Sequence, residues 1–389
     1  MSQQASHGNR FGFDSNVFEN SQSYPGFVRY WEIDEYADLM GELQRFLETV
    51  LETSQVPFDI RNQAGYQRAV RNPVGYSGYR SLSGFMSQCG QWMDLYWPEY
   101  AYSADLHLFF DCFMQHPFAQ VFSNGTLSNS VDKAVAADLY NNFIGCLRTE
   151  AVRRGVRKSL HNWRGNLDSQ EGSIRRYLDV LYGRHKKLLP VRLDLSYKCY
   201  ADDDNNALER TSWTREANGA WTQVLSNAPI GDGIPETRAR IDPRVAMQDR
   251  DVFFGNRRGS DRALFDPMAG HICKMEQGGE HRAYHFHCIF FFDAELVRRS
   301  QLDELKDDIA DRWSRVTRRQ GLTFDCHERK DQAELRAQGR WAIDAIDCSN
   351  PVQVARLSDY IADYFAKDDG QMVRVKPTAK AWTLTMGRK

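Results

Sequence analysis

The chain has no CxxC pair and no zinc-finger spacing among its eight cysteines, Cys89, Cys112, Cys146, Cys199, Cys273, Cys288, Cys326 and Cys348. Thiols scattered in this way predict reduced, mostly buried side chains, not a disulfide framework or a structural zinc site. No run of about 18 apolar residues occurs, so no transmembrane helix is expected. The opening MSQQASHGNRFGFDSN lacks the apolar segment of a secretory signal. Together these absences predict a cytoplasmic protein with no membrane partner. No Walker A sequence is present, which argues against a fused P-loop helicase. Glycine and proline, 27 and 12 of 389 residues, are too few for a low-complexity chain.

What is present suits a folded protein of two domains by length. Hydrophobic residues make up 42% and aromatics 12%, enough to fill real cores. The formal charge of −2 hides an uneven distribution. Residues 1–150 carry nine Lys/Arg against seventeen Asp/Glu, whereas residues 151–190 carry ten against three. Residues 365–389 hold six basic side chains against Asp368 and Asp369. Basic segments of this kind suit a phosphate-backbone partner or, more simply, a solvated helix face.

Residues 1–25 read as a flexible lead-in and 26–187 as a helical accessory domain. Tyr36, Leu39, Leu43, Phe46, Leu47 and Val50 recur at helical spacing between Glu32 and Thr53. Residues 56–85 are turn-rich, 86–121 read as buried helix, Val131–Val156 as helix, and Ser173–Leu188 as a helix stopped by Pro190. From there the texture changes. Val191, Leu193, Leu195 and Tyr197 alternate with Arg192, Asp194, Ser196 and Lys198, a strand pattern. A hairpin is expected within 212–225, a helix over 243–254 and a second hairpin over 271–292, turning at Gln277–Glu280. Tyr284–Phe292 is apolar on both faces, which marks a covered strand. A helix from Leu302 to Val316 should end at Gly321. Strands are expected at 322–326 and 341–346. Ser349-Asn350-Pro351 starts a last helix running to about Lys367. The order predicts an α+β fold, a small antiparallel sheet with helices on one face.

Two short pieces carry chemistry. His285 and His287 are one residue apart in a strand, so both imidazoles point the same way and can share a divalent metal. Mg²⁺ or Mn²⁺ needs a further hard oxygen ligand. Glu276, on the partner strand, can face the histidines, and Glu280 in the turn is the weaker candidate. In the last helix, Val354, Leu357, Ile361 and Phe365 form one stripe, and Arg356, Tyr360, Tyr364 and Lys367 a second, roughly 100° away. A metal to polarise a phosphate and a phenol to attack it would make a DNA-nicking site. Lys367 is placed to lower the phenol pKa or neutralise developing charge. Arg153, Arg154, Arg157, Lys158, Arg356 and Lys376 are the candidate DNA-binding cations.

The order of a strand like Arg192–Tyr197, then His285-Phe286-His287, then Tyr360/Tyr364/Lys367 resembles the HUH endonucleases, the rolling-circle replication initiators. The stretches Gly270–Glu276, His285–Asp293, Tyr360–Asp369 and Lys376-Pro377-Thr378 resemble the narrower YagK/YfjJ family of filamentous-phage and prophage replication proteins. Asp194 and Ser196 stand where the broader superfamily commonly has threonines. The resemblance covers about 188–389 and implies a ferredoxin/RRM-like nuclease domain with a central antiparallel sheet. It implies metal-assisted nicking of single-stranded or extruded origin DNA, a 5′-phosphotyrosine link, and a free 3′-OH for rolling-circle replication. Host helicase and polymerase would be partners. Tyr364 is the expected first nucleophile, since Tyr364-x-x-Lys367 matches the single-tyrosine form of the motif. Two other readings stay open: a non-catalytic DNA-binding regulator on the same fold, and a small-molecule metalloenzyme.

Overall fold

Aromatic density organises the first half of the chain. Helices α1 (Tyr36–Glu52), α2 (Ala104–Gln115), α3 (Lys133–Arg153) and the start of α4 (Val156–Arg184) enclose one core. Phe46, Trp92, Phe109, Phe113, Phe118 and Phe143 meet there in edge-to-face, tilted and stacked pairs, each pair adding to plain area burial. The computed structural model describes residues 31–33, 36–63, 65–72, 78–123, 125–198, 209–216, 219, 221–227, 239–255, 261–278, 283–366 and 372–387. The expected lead-in, Glu280 and Lys367 lie outside the described residues.

Three expectations for the first half of the chain need correction or refinement here. Residues 86–121 are not one helix: short 3₁₀ turns occupy Leu82–Leu95 before α2 begins, because serines and glycines interrupt the apolar run. The turn-rich segment holds a hairpin, Phe58–Gln63 with Tyr66–Arg71, turned by Gly65 at φ 85°. α3 and α4 are separated by Gly155 in the left-handed region, φ 62°, so α4 starts seventeen residues earlier than expected and stops at Arg184, before Pro190.

Pro190 lies inside strand β1 (Lys187–Tyr197). After β1 come a hairpin, Glu209–Arg215 with Trp221–Asn227, and helix α5 (Pro243–Gly255). β2 (Met268–Gly278) and β3 (Ala283–Asp293) form the expected second hairpin. Helix α6 (Leu302–Val316), β4 (Gly321–Asp325), β5 (Ile346–Asp347), α7 (Pro351–Phe365) and β6 (Leu384–Met386) follow. The sheet order is β4–β1–β3–β2–β6, with β5 also beside β1 and every pairing antiparallel. The chain is thus α+β.

β4 pairs with Leu193–Tyr197 and β5 with Lys187–Leu188, leaving a gap along that edge of β1. The Arg192 N–H points into the gap and donates to His327 Nε2 at 3.1 Å. Pro190, two residues earlier, shares that orientation, so its missing N–H breaks no ladder bond.

Helices cover both sheet faces, not one. Leu189, Val191, Leu193, Leu195, Phe286 and Phe290 pack with α5 and α6 residues, including Phe253 and Trp313. Leu188, Ile272, Ile289 and Phe291 pack with Ile174, Leu178 and Leu181 of α4 and Leu357, Ile361 and Phe365 of α7. β3 is apolar on both faces from Cys288 onward, so a single helical layer would leave one face wet. Two further corrections follow from packing. The left-handed residues after α6 are Arg318 and Arg319, φ 52° and 66°; Gly321 opens β4, where a Cβ would sit 2.5 Å from the Trp313 ring. Residues 341–345 are not strand: ladder pairing to β1 begins only at Ile346, and Trp341, Ala342 and Ile343 are buried by packing against α4 and α7 residues instead.

Among the described residues, Cys89, Cys112, Cys273, Cys288 and Cys326 are free and buried, and Cys146 and Cys348 are free and half-buried. No described helix is long and apolar enough to cross a membrane.

Candidate metal and tyrosine site

Strand register assembles the site. Glu276 of β2 stands directly opposite His285 of β3, Lys274 opposite His287, and Asp194 of β1 opposite His287 on its other side. All five side chains occupy one face of three adjacent strands, the face that α7 covers. His285 Nε2 lies 3.2 Å from His287 Nε2, and His287 Nε2 lies 3.1 Å from Glu276 Oε2. The three ligand atoms fall within 4.8 Å of one another. Donors about 2.1 Å from one ion at right angles sit ~3.0 Å apart, so this triad fits a single divalent cation.

The second nitrogen of His287 is also held. Nδ1 lies 2.9 Å from Asp194 Oδ1 and 2.9 Å from the Tyr364 hydroxyl. A carboxylate behind a ligating imidazole fixes its ring and raises its basicity. Glu276 Oε1 receives Lys274 Nζ at 2.7 Å. Burial works against charge on His287, but Asp194 and Glu276 outweigh it and lift its pKa to about 9. Burial and the neighbouring His287 charge lower that of His285. Burial alone would raise Glu276; His287 and Lys274 reverse this and hold it at about 2. Free of metal, the triad is thus a neutral imidazole and a protonated one beside a carboxylate.

No protein-family model, characterised protein or solved structure matches the chain.

α7 brings the phenols. Asn350 caps it, accepting from the Val352 and Gln353 N–H groups, and Pro351 sets its first turn. Leu357, Ile361 and Phe365 pack on the sheet. One shoulder away, Tyr360 and Tyr364 stack with ring centroids 6.5 Å apart. Arg192 of β1 reaches up to both: it donates to the Tyr360 hydroxyl, and its guanidinium lies 3.4 Å from the Tyr364 ring centroid. Arg192 is only 1% exposed. Burial raises the pKa of both phenols. Asp194 pushes Tyr364 further up, while the Arg192 charge draws both phenols back down, Tyr360 also through its hydrogen bond.

The DNA-binding candidates are scattered. Arg153 pairs with Glu150 at 2.6 Å, Arg154 with Asp111 at 2.6 Å, and Arg157 with Glu52 at 3.6 Å, all within the N-terminal unit. Lys158 and Arg356 are exposed, Arg356 one turn before Tyr360. Lys376 turns inward, 3.4 Å from the Ala379 and Ala381 carbonyl oxygens and over the Trp163 ring.

Sequence reasoning missed Arg192, Asp194 and Lys274 as members of the site. The signal existed. Arg192, Asp194 and Ser196 are the polar half of an alternating strand, and once β1 pairs with β3 that half must share a face with His285 and His287.

Proposed function

We propose that this protein is a metal-dependent endonuclease and strand transferase of HUH type, a replication initiator that nicks single-stranded or extruded origin DNA. One observation carries the reading: Glu276, His285 and His287 converge on the sheet face that also presents Tyr360 and Tyr364, with the Tyr364 hydroxyl 2.9 Å from a ligand histidine. The strand order β4–β1–β3–β2, with α5 and α6 as crossovers, supports a ferredoxin/RRM-like domain. Glu276, His285 and His287 would hold Mg²⁺ or Mn²⁺. Such an ion would polarise the scissile phosphate and fix its position for in-line attack.

The protein's own groups do the rest. A phenol attacks phosphorus, its proton leaves to solvent or a nearby base, and the DNA 3′ oxygen departs as the free 3′-OH, leaving a 5′-phosphotyrosine. Arg192, buried between the rings, supplies fixed positive charge where phenolate character develops. The two phenols are not equivalent. Tyr364 faces Asp194, whereas Tyr360 receives the Arg192 hydrogen bond. This favours Tyr360 for the first cut, against the sequence expectation of Tyr364. The other phenol, one turn away, then serves the second transfer.

Incubating the protein with a labelled single-stranded DNA library and Mn²⁺, then sequencing the linked peptide and DNA end, tests this. A covalent adduct on Tyr360 or Tyr364 is expected. Binding without adduct would leave a DNA-binding regulator, and neither binding nor adduct would leave a small-molecule metalloenzyme.

A further inference from the structure

A second concave feature lies beside the site, outside every role assigned above. A cavity of about 740 Å³ runs between the C-terminal half of α4 and the sheet edge formed by β2 and β6. Its floor is apolar, from Leu181, Leu384 and Met386, and its walls carry Arg176, Arg184 and Trp382. No Asp or Glu lines it among the described residues. Trp382 is 75% exposed, an unusual cost for the largest apolar side chain in a folded protein. Arg176 is also exposed and makes no ion pair among the described residues; its one hydrogen bond goes to Ser173 Oγ at 3.1 Å.

The register shows where the cavity leads. Leu384 pairs with Lys274, and the Met275 N–H donates to the Thr383 carbonyl at 2.7 Å. Trp382 therefore stands at the level of Glu276, the metal-triad carboxylate. From there the groove follows β6 and α4 away from the triad toward Ala269 and Arg184.

We propose that this groove is the bed of a single DNA strand on one side of the scissile phosphate, with a base stacked on Trp382 and a phosphate held by Arg176. The proposal rests on the nicking reading. Its chemistry is that of a sequence-tolerant single-strand site: an exposed indole face for a base, the Arg176 cation for the backbone, no carboxylate in the described lining, and a groove too apolar to suit free phosphate alone. An acidic peptide would find the cations but has no use for an exposed indole beside a metal triad.

The test is fluorescence anisotropy of a fluorescein-labelled oligothymidylate on the full chain, in EDTA so that no cutting occurs. Trp382→Ala should weaken binding roughly tenfold, the loss of one stacked base, and Trp382→Phe should restore most of it. Arg176→Ala should take about 0.7 from the slope of log K against log salt, one single-strand phosphate contact. If both groove variants bind and depend on salt as wild type does, while wild type still nicks, the groove assignment falls and the nuclease reading stands. If wild type binds no single strand even at low salt, both fall. Loss of binding in Trp382→Ala that Trp382→Phe does not restore would also overturn the stacking role.

Discussion

Replacing Glu276 by Gln removes one negative charge and almost no volume from the centre of the site. Glu276 is 5% exposed, its Oε2 is 3.1 Å from His287 Nε2, and its Oε1 is 2.7 Å from Lys274 Nζ. The amide oxygen can still accept from Lys274, so the sheet should survive. A neutral amide is a poor ligand for a hard cation, however, and His287 loses one of its two carboxylates. With Mn²⁺ at 100 times its Kd, the wild-type protein gains about 2.7 kcal/mol of stability. For a domain the size of the sheet-bearing half that is a rise in Tm of roughly 5–10 °C. Differential scanning fluorimetry with and without Mn²⁺ reads this directly. Comparing each variant with its own EDTA control cancels any cost of the substitution itself. Glu276→Gln and His285→Ala should each lose most of the shift. His287 must also shed the proton that its carboxylates retain up to about pH 9, so the shift should shrink as the buffer goes from pH 8 to pH 6, by about tenfold in Kd per unit. A Glu276→Gln protein with the wild-type shift, or a wild-type shift that grows as pH falls, would refute the triad as a metal site.

Three other outcomes follow from neighbouring features. The Tyr360→Phe/Tyr364→Phe protein should form no DNA adduct, whereas Tyr364→Phe should keep an initial cut; gel analysis of covalent complexes decides, and full cutting by the double variant would end the tyrosine mechanism. His327 is lowered to about 4 by burial, so the folded state binds fewer protons than the unfolded one between pH 4 and about 6.5. Its contribution is complete above that window and is lost as pH falls through it, by at most about 3 kcal/mol; His327→Gln should flatten the drop in urea midpoint between pH 7 and pH 5, and an unchanged drop would remove His327 from the account. At Gly270 a Cβ would sit 2.2 Å from the Tyr177 hydroxyl and 3.1 Å from Leu181, so Gly270→Ala should cost ~1–3 kcal/mol by pushing α4 off the sheet, a loss that urea denaturation would register.

The site was legible where chemistry and periodicity coincide. His285 and His287 announce a shared direction by alternation alone, and Glu276 followed once the hairpin 271–292 was read, because hairpin register fixes what stands opposite. Tyr360 and Tyr364 came from the helical repeat. Lys274 stands in that same hairpin, opposite His287, and lay within reach of the same register; Arg192 and Asp194 did not, since which strand lies beside β3 is a matter of topology across about ninety residues, and local pattern says nothing of it. The same limit explains the second helical layer. Nothing in Val156–Arg184 states that one end will pack on aromatic helices and the other on a sheet. The 3₁₀ turns between Leu82 and Leu95 escaped because their burial is dense without being periodic.

α4 is one unbroken helix of 29 residues with an anchor at each end. Val156 belongs to the aromatic core of the N-terminal half, and Ile174, Leu178 and Leu181 belong to the sheet. The angular phase between those anchors is set by residue count alone. A single inserted residue between them would turn one anchor by about 100° relative to the other, while seven would return it to within about 20°. The length of this helix is therefore quantised: changes of about seven, eleven or eighteen residues keep both anchors in phase, and a change such as one, two or five residues must be answered by repacking one of the two cores.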